Sequence, residues 1–393
     1  MSGPLYLAWR YLAHHRIKTG ILVASITLIA FLPIGLNVLV KQSAAELTAR
    51  AASTPLLIGA KGSRLELTLN SLYFETEPPE SMPYAEANRI AASGLADAIP
   101  LQIRFRARNH PIVGTTLEYF DFRGLRPASG RAMAVLGECV VGHRAARDLG
   151  VAPGDTLVSS PETIFDLAGS YPLEMKVVGV LAPVHGPDDD AIFVDIRTAW
   201  ILQGLGHGHQ DLSARGAEAT VLFREEGRIT ANAAVVEYNV ITTENLESFH
   251  FHGDVDDYPV TAVIAVPHNA RSRALLMGRY GGTDQTVQIF RPDQVMADLL
   301  GTILSIQQYV VAAMLGVSVA TLAMATLVFW LSLRLRRREI ETLFKIGGAR
   351  SSVSALLASE VALVLLLGLT LAGGLTLIVQ RFGAAAIRAV LLT

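Results

Sequence analysis

Three long apolar runs constrain this sequence most strongly. The first, Ile21 to Val40, has about twenty residues without a charge, enough for a helix to cross a bilayer core of roughly 30 Å. The second, Leu299 to Leu333, is charge-free over about thirty-five residues, so a helix there would extend about 50 Å and project beyond the membrane. The third, Ser351 to Gln380, is interrupted only by Glu360. The sequence therefore predicts three membrane-spanning helices.

Basic residues flank these runs on one side of the predicted membrane. They form two clusters: Arg10, Arg16 and Lys18 before the first run, and Arg334, Arg336, Arg337, Arg338, Lys345 and Arg350 between the second and third. Basic residues near the ends of spanning helices stay in the cytosol, so residues 42–300 are predicted to lie outside. The formal net charge of the chain is only −2 although both inside clusters are basic, so the outside part must be acidic. An acidic domain argues against nucleic acid as a partner.

The outside part has the pattern of an α+β domain. Cys139 is the only cysteine, so an intrachain disulfide is excluded and an ordinary core must hold the domain together. Strands are predicted at Leu101–Arg106, Pro111–Val113, Cys139–Val141, Leu173–Val180, Ile192–Asp195 and Ala262–Val266. Helices are predicted at Tyr84–Ala98, Arg144–Leu149 and Asp293–Leu300.

The fold class predicted is therefore an α-helical membrane protein with three transmembrane helices and a large α+β extracytoplasmic domain inserted between the first and second. The predicted segments are a cytosolic amphipathic helix (1–18), transmembrane helix 1 (19–41), a periplasmic α+β domain (42–300), transmembrane helix 2 with an outer stalk (301–333), a cytosolic coupling helix and loop (334–350), transmembrane helix 3 (351–380) and a short C-terminal tail (381–393).

Three ordered stretches resemble the permease subunits of ABC systems of the FtsX/MacB/lipoprotein-release type (type VII). The first is the amphipathic start LAWRYLAHHRIKTG, before the first apolar run. The second comprises Val140 to Asp155, Lys176 to Pro183 and Asp190 to Asp195. The third, Arg336 to Arg350, is similar to the cytosolic RREI-x-x-L-x-x-x-G-A-x loop of these permeases. Together they cover most of the chain in the family's order.

The resemblance implies a non-catalytic permease subunit of the bacterial inner membrane with a cytosolic N-terminus. It binds no ATP itself; a separate cytosolic ABC ATPase hydrolyses ATP, and the permease works as a homodimer or with a paired permease. A periplasmic or lipoprotein partner is also implied. The residues expected to contact the ATPase are Arg338, Glu339, Glu341, Leu343 and Lys345. A fourth span, usual in the family, is not visible, because the stretch after Arg381 is too short to cross a membrane.

Five of the ten histidines fall between His185 and His252, and four of them form two i, i+2 pairs. On a strand this spacing places both imidazoles of a pair on one face. The candidate metal ligands are His207, His209, His250, His252 and Asp254, because imidazole and carboxylate suit zinc or a similar ion. Acidic residues also follow His185 at positions 188–190. The alternative is a set of exposed polar loop residues.

The resemblance extends to the branch of these permeases that carries a histidine-containing periplasmic loop, through the stretches GAKGS and GTTLEYF at residues 59–63 and 114–120. This branch hints at metal handling, with zinc as the candidate cofactor.

Within the third run, Glu360 is an intramembrane polar residue. Such an acid often marks a relay, but this one lies about two turns from the cytosolic end, where structural pairing with Arg350 or water is the preferred interpretation over proton transport. Gly368 is interpreted as a site of close helix packing.

The leading function is that of an ABC permease that transmits ATP-driven motion to a periplasmic domain acting on an envelope substrate. Two alternatives stay open at this point: an FtsX-like regulator of a cell-wall hydrolase, and a membrane-anchored protein that handles divalent metal. The sequence does not discriminate between lipid, lipoprotein, peptide and metal complexes as substrates.

Overall fold

The computed structural model describes residues 3–160, 172–209, 221–225, 228–231, 238–282, 286–335, 337, 341–342, 345 and 349–391. The chain divides into two compact units, which we call the helical unit (Met1–Ala49 with Ala297–Thr393) and the sheet unit (Arg50–Met296). The α-helices of the described residues are α1 (Gly3–His14), α2 (Arg16–Ala52), α3 (Arg64–Tyr73), α4 (Ala85–Ala92), α5 (Leu117–Arg123), α6 (His143–Leu149), α7 (Ile196–Leu202), α8 (Ala270–Arg279), α9 (Pro292–Leu335) and α10 (Arg350–Leu391).

Three helices are long and apolar enough to cross a membrane, as predicted. The candidate spans are Arg16–Gln42 in α2, Gln308–Val328 in α9 and Val353–Gly383 in α10. Helix α10 also continues to Leu391, through most of the segment predicted as a C-terminal tail.

Within the helical unit, α2 and α10 approach closely at Gly368. A Cβ added to Gly368 would lie 2.6 Å from a side-chain carbon of Ile26, so only glycine fits there without displacement. The Thr27 hydroxyl lies 2.7 Å from the Val23 carbonyl of its own helix and 3.2 Å from the Gly368 carbonyl. A small residue thus allows the two backbones to approach.

The amphipathic helix α1 packs against α10 and buries Ala8 and Leu12. Its other face exposes Tyr6, Leu7 and Trp9. An exposed row of large apolar and aromatic side chains beside basic residues is typical of a helix that lies at a membrane surface.

The sheet unit is built on one mixed sheet. Its strand order is β16-β1-β15-β3-β4-β9-β6-β8-β5, with β7 on β8; the β4–β9 and β6–β8 pairs are parallel and the others antiparallel. The strands are β1 (Leu56–Ala60), β2 (Met82–Pro83), β3 (Ala96–Ala107), β4 (His110–Thr115), β5 (Pro127–Gly130), β6 (Glu138–Val141), β7 (Thr156–Val158), β8 (Glu174–Leu181), β9 (Ile192–Asp195), β10 (Gly206–Gly208), β11 (Val221–Glu225), β12 (Arg228–Ala231), β13 (Phe249–Phe251), β14 (Pro259–Val260), β15 (Ala262–Pro267) and β16 (Val287–Phe290).

Helix α7 and two clusters of buried side chains form the core around this sheet. Trp200 of α7 is almost fully buried and packs edge-to-face on Tyr84 at 5.2 Å and on Tyr258 at 5.1 Å between ring centroids. Its indole N–H donates to the Pro259 carbonyl at 2.9 Å. A second cluster contains Cys139, and burial raises the pKa of this thiol to about 12. The core thus forms without a disulfide.

The helix predicted at Tyr84–Ala98 is shorter in the structure. Helix α4 ends at Ala92, and Gly94 lies just beyond it in the left-handed region with φ of +64°. The chain then enters β3 at Ala96, which pairs with Pro267 of β15. The positive φ at glycine stops the helix, and pairing with a distant strand makes the chain extended from Ala96 onward.

Much of the predicted coupling helix lies outside the described residues, including Arg338, Glu339 and Leu343. Glu341 and Lys345 are described, and both are exposed. The Arg337 guanidinium lies 3.3 Å from the Glu341 carboxylate, the i, i+4 spacing of a helix surface pair.

Candidate functional site

The four predicted histidine ligands lie on one two-stranded antiparallel ribbon, formed by β10 and β13. Its register pairs His207 with His250, Gly206 with Phe251 and Gly208 with Phe249. Because side chains alternate along a strand, His207 and His250 share one face and the phenylalanines lie on the other. His209 and His252 directly follow β10 and β13, two positions after His207 and His250, and their rings lie beside the rings of those histidines.

On the opposite face of the ribbon, two glycines lie against two phenylalanine rings. A Cβ added to Gly206 would lie 2.6 Å from the Phe251 ring, and one added to Gly208 would lie 2.6 Å from the Phe249 ring. Both rings pack against buried core residues of the sheet unit, and Phe251 contacts both core clusters. The glycines leave the space that the rings occupy, so the ribbon has an apolar inner face and a histidine outer face.

The imidazoles of His207 and His250 are neighbours of each other and of both other histidine rings. The ring centroid of His207 lies 4.8 Å from that of His250, 4.9 Å from that of His252 and 5.9 Å from that of His209. His250 lies 5.0 Å from His209 and 4.8 Å from His252. One nitrogen from each of His207, His209 and His250 lies within 4.8 Å of the other two. The sequence prediction that these histidines share a face agrees with the structure.

Hydrogen bonds to backbone carbonyls orient the His250 ring and attach the histidine segments to the core. His250 Nδ1 donates to the Ser248 carbonyl at 2.9 Å, which leaves Nε2 as the lone-pair nitrogen. The Tyr258 hydroxyl lies 2.7 Å from the His252 carbonyl and 3.2 Å from the Leu205 carbonyl. Since Tyr258 is buried against Trp200, it links the ends of both histidine strands to the core.

Asp254, the fifth predicted ligand, is not brought into this group. Its carboxylate caps the 3-10 turn Val255–Asp257 by accepting from the Asp256 amide at 3.0 Å. A carboxylate oxygen that caps a turn is directed at the backbone. Within the part of the chain that the structure describes, the cluster therefore consists of imidazoles.

The acidic residues after His185 serve another purpose. Asp189 accepts from the Val184 and His185 amides at 2.9 and 2.8 Å, and Asp190 pairs with Arg144 at 2.8 Å. Asp188 is buried and holds Arg50. These carboxylates bind backbone amides and arginines of neighbouring segments. The sequence pattern did not reveal this structural role.

Arg50, in the last turn of α2, is the functional candidate that sequence reasoning missed. Its guanidinium forms a two-pronged ion pair with Asp188, in which Nη2 lies 2.8 Å from Oδ1. Tyr119 completes the group: its hydroxyl accepts from Arg50 at 2.7 Å and donates to Asp188 at 2.8 Å. The Arg50 and Asp188 side chains are only 10% and 3% exposed. We call Arg50, Asp188 and Tyr119 the α2 anchor.

Electrostatics in the α2 anchor favour the ionised pair. Burial raises the pKa of Asp188, but the adjacent Arg50 charge and the hydrogen bonds from Arg50 and Tyr119 outweigh it and hold this pKa below its ordinary value. Burial raises the pKa of the Tyr119 phenol, which therefore stays protonated as a donor. A second arginine, Arg123, donates to the Ser53 and Thr54 hydroxyls at 3.0 and 2.8 Å, just after α2 ends.

In the helical unit, Glu360 is buried at 2% exposure. It lines a cavity of about 210 Å³ together with Lys18, Thr19 and Tyr11. The acid therefore faces neighbouring helices of its own unit.

Comparison with known proteins gives one family and a set of distant solved structures. The model of the MacB-like periplasmic core domain family matches residues 20–238, more than half of the chain. The extracellular domain of the noncanonic ABC-type transporter YknZ from Gram-positive bacteria is 14% identical, with a TM-score of 0.32, over 60% of this chain and 98% of that one. The periplasmic region of MacB from Actinobacillus actinomycetemcomitans is 11% identical, with a TM-score of 0.32, over 63% and 92%. No curated protein matches the chain.

Proposed function

Because the chain belongs to the family of MacB/FtsX-type ABC transporter permease subunits, which carries the MacB-like periplasmic core domain, we propose that it transmits ATP-driven motion of a cytosolic ATPase to its periplasmic domain. That domain, the sheet unit, then acts on an envelope substrate. ATP hydrolysis belongs to the separate ATPase, and the permease works as a homodimer or with a paired permease. A periplasmic or lipoprotein partner receives or delivers the substrate.

The α2 anchor is the observation that carries this proposal. Helix α2 contains both the apolar span Arg16–Gln42 and the residues 50–52 of the sheet unit. A force along a helix reaches a domain only if the helix end is held there. A buried, two-pronged arginine–carboxylate pair is a strong and directional hold, because displacing it leaves a charge buried without its partner. The Arg123 guanidinium adds hydrogen bonds to the hydroxyls of Ser53 and Thr54, the two residues after α2.

Contact with the ATPase is assigned to the coupling helix, through Arg338, Glu339, Glu341, Leu343 and Lys345. Exposed residues Glu341 and Lys345 carry opposite charges and lie four residues apart, so they share one helix face. Charges of both signs on one exposed face can match a complementary charge pattern on a partner. This favours a specific protein contact over nonspecific attraction to a charged surface.

Co-purification tests the ATPase contact. The full chain, extracted in mild detergent, is expected to retain a nucleotide-binding subunit with a Walker-A motif. Glu341→Ala/Lys345→Ala should lose that subunit, whereas Glu118→Ala/Arg271→Ala, which removes one exposed acid and one exposed base from the sheet unit, should keep it. Absence of any ATPase from the unaltered chain would overturn the proposal in favour of a membrane-anchored protein without such a partner.

Distance measurement tests the transmission itself. Cys139 is fully buried, so a cysteine at the exposed position Ala91 of α4 is the accessible site for a spin label. In the paired complex with its ATPase, ATP should change the distance between two such labels. Arg50→Lys, which keeps the charge but loses the two-pronged pair, should retain the ATPase and reduce the change. An ATP-independent distance in the unaltered complex would contradict transmission.

A further inference from the structure

We propose that the histidine face of the β10–β13 ribbon is a binding site for one divalent cation of the zinc type. The site consists of His207, His209 and His250, and His252, beside two of them, is the candidate for the fourth ligand. It lies wholly within the sheet unit and needs neither ATP nor the ATPase.

The ligand chemistry selects the class of ion. Among the described residues the group consists of three imidazoles, with a fourth beside them. Such nitrogen donors suit zinc, copper and nickel, whereas calcium and magnesium require oxygen ligands. A thiolate contribution is excluded because Cys139, the only cysteine, is buried in β6. The fit to zinc is closest, since zinc imposes no preferred geometry of its own and accepts four ligands in a tetrahedron.

The distances need little adjustment to reach zinc coordination. Zinc–imidazole bonds of about 2.0 Å place tetrahedral nitrogens about 3.3 Å apart. The candidate nitrogens of His207, His209 and His250 already lie within 4.8 Å of one another. The remaining difference of up to about 1.5 Å is of the size that rotation of the imidazole side chains would have to supply. The ring of His252 lies 4.9 Å from that of His207 and 4.8 Å from that of His250, so it would have to turn toward the three nitrogens to occupy the fourth position.

The site is also supported behind its ligands. A metal-binding imidazole commonly donates its second N–H to a carbonyl, which fixes the ring orientation. His250 does so through Nδ1 to the Ser248 carbonyl, and it thereby offers Nε2 to the ion. The Tyr258 hydroxyl and the Phe249 and Phe251 rings hold the two strands in place from the core side. Exposed loop histidines, the alternative interpretation, would not need such support.

Binding would join two segments that are distant in the sequence. His207 and His209 come after α7, whereas His250 and His252 precede β14, so a bound ion bridges both strands of a short ribbon. A three-residue strand pair has few backbone hydrogen bonds, and the metal–nitrogen bonds would add to them. The ion is therefore expected to stabilise the sheet unit as well as to occupy it.

Zinc titration of the full chain in detergent tests the proposal. The chain carries a tag without histidine, is stripped with a chelator, and is titrated with zinc in competition with a fluorescent chelator of known affinity. We expect one tightly bound zinc per chain and X-ray absorption showing only nitrogen-type neighbours at about 2.0 Å. His207→Ala/His250→Ala should abolish that site. His143→Ala/His185→Ala, which removes two exposed histidines outside the ribbon, should leave it unchanged.

Folding of the ribbon variant is checked independently, by its thermal unfolding without zinc. His207→Gln/His250→Gln provides a second variant with polar side chains of similar size. The proposal is overturned if the unaltered chain binds no zinc, or if it binds equally before and after either ribbon substitution. Calcium or magnesium in place of zinc should show no binding, and saturation of the site by either would also contradict it.

Discussion

At the residue scale, Arg50 is the side chain whose loss should lower the free energy of unfolding most. Arg50→Met removes the partner of Asp188, whose carboxylate is only 3% exposed, and leaves a buried charge with Tyr119 alone. Breaking such a pair costs about 3–5 kcal/mol. We expect a clear fall in melting temperature in detergent.

Two comparisons separate the pair from its surroundings. Arg126→Met removes the partner of Asp121 in an ion pair whose side chains are 70% and 73% exposed, so it should not change the melting temperature measurably. Arg50→Met/Asp188→Leu removes both charges and should be less destabilised than Arg50→Met. A double variant as unstable as the sum of the single changes would contradict a coupled pair.

The α2 anchor also predicts acid sensitivity. The pKa of Asp188 is lower in the folded protein than in the unfolded chain, despite burial, because of Arg50 and Tyr119. Its stabilisation is therefore complete above the unfolded carboxyl pKa of about 3.9 and is lost as the pH falls through the lower folded value. The difference in unfolding free energy between the unaltered chain and Asp188→Asn should be constant above about pH 5 and should shrink below about pH 4. A difference that stays constant to pH 3 would show that Asp188 is not the titrating group.

Sequence reasoning at the residue scale reached the histidines but not the anchor. The i, i+2 pairs reflect the alternation of a single strand, so His207 and His209 could be placed on one face without knowing the fold. Arg50 and Asp188 are 138 residues apart, and only the tertiary fold brings them together. Local patterns carry no such information and group Asp188 with the acids near His185.

At the scale of elements, the ribbon should be sensitive to glycine substitution on the face opposite the histidines. Gly208→Ala places a Cβ 2.6 Å from the Phe249 ring, which must move within a packed environment. Such overpacking costs about 1–3 kcal/mol, and movement of β13 should also weaken zinc binding. Melting temperature and zinc affinity are measured together. Gly186→Ala, where an added Cβ meets nothing within 4 Å, should change neither; a normal Gly208→Ala protein would contradict the described packing.

Elements were predictable where the local pattern and the fold agree. The strands at Cys139–Val141, Ile192–Asp195 and Ala262–Val266 are β6, β9 and the greater part of β15. Helix α3 was missed because Leu65, Leu67 and Leu69 alternate with polar residues, a period of two that is typical of a strand. The pairing of β10 with β13 could not be predicted, since neither three-residue strand is stable alone and its partner is chosen by the core beneath it.

At the scale of the whole molecule, the predicted fold class is confirmed, with the α+β sheet unit inserted between the first and second apolar helices. Membrane orientation rests on a different argument, the position of the basic residues relative to those helices. Arg334 and Arg350 bound the gap between α9 and α10, and Arg16 and Lys18 precede the apolar part of α2. Moving these charges across the membrane is unfavourable. The start of α2 and the segment between α9 and α10 should therefore both face the cytosol.

Single-cysteine labelling tests this orientation. The native thiol Cys139 is fully buried, with its pKa raised to about 12, so it should react very slowly with a maleimide. Ala91→Cys in the sheet unit and Thr342→Cys between the basic residues are both exposed, and the second leaves every charge in place. In intact spheroplasts, a membrane-impermeant maleimide should label Ala91→Cys only, and permeabilisation should make Thr342→Cys reactive. The opposite result would place the sheet unit in the cytosol. The chain could then neither contact a cytosolic ATPase through its coupling helix nor act on an envelope substrate in the periplasm.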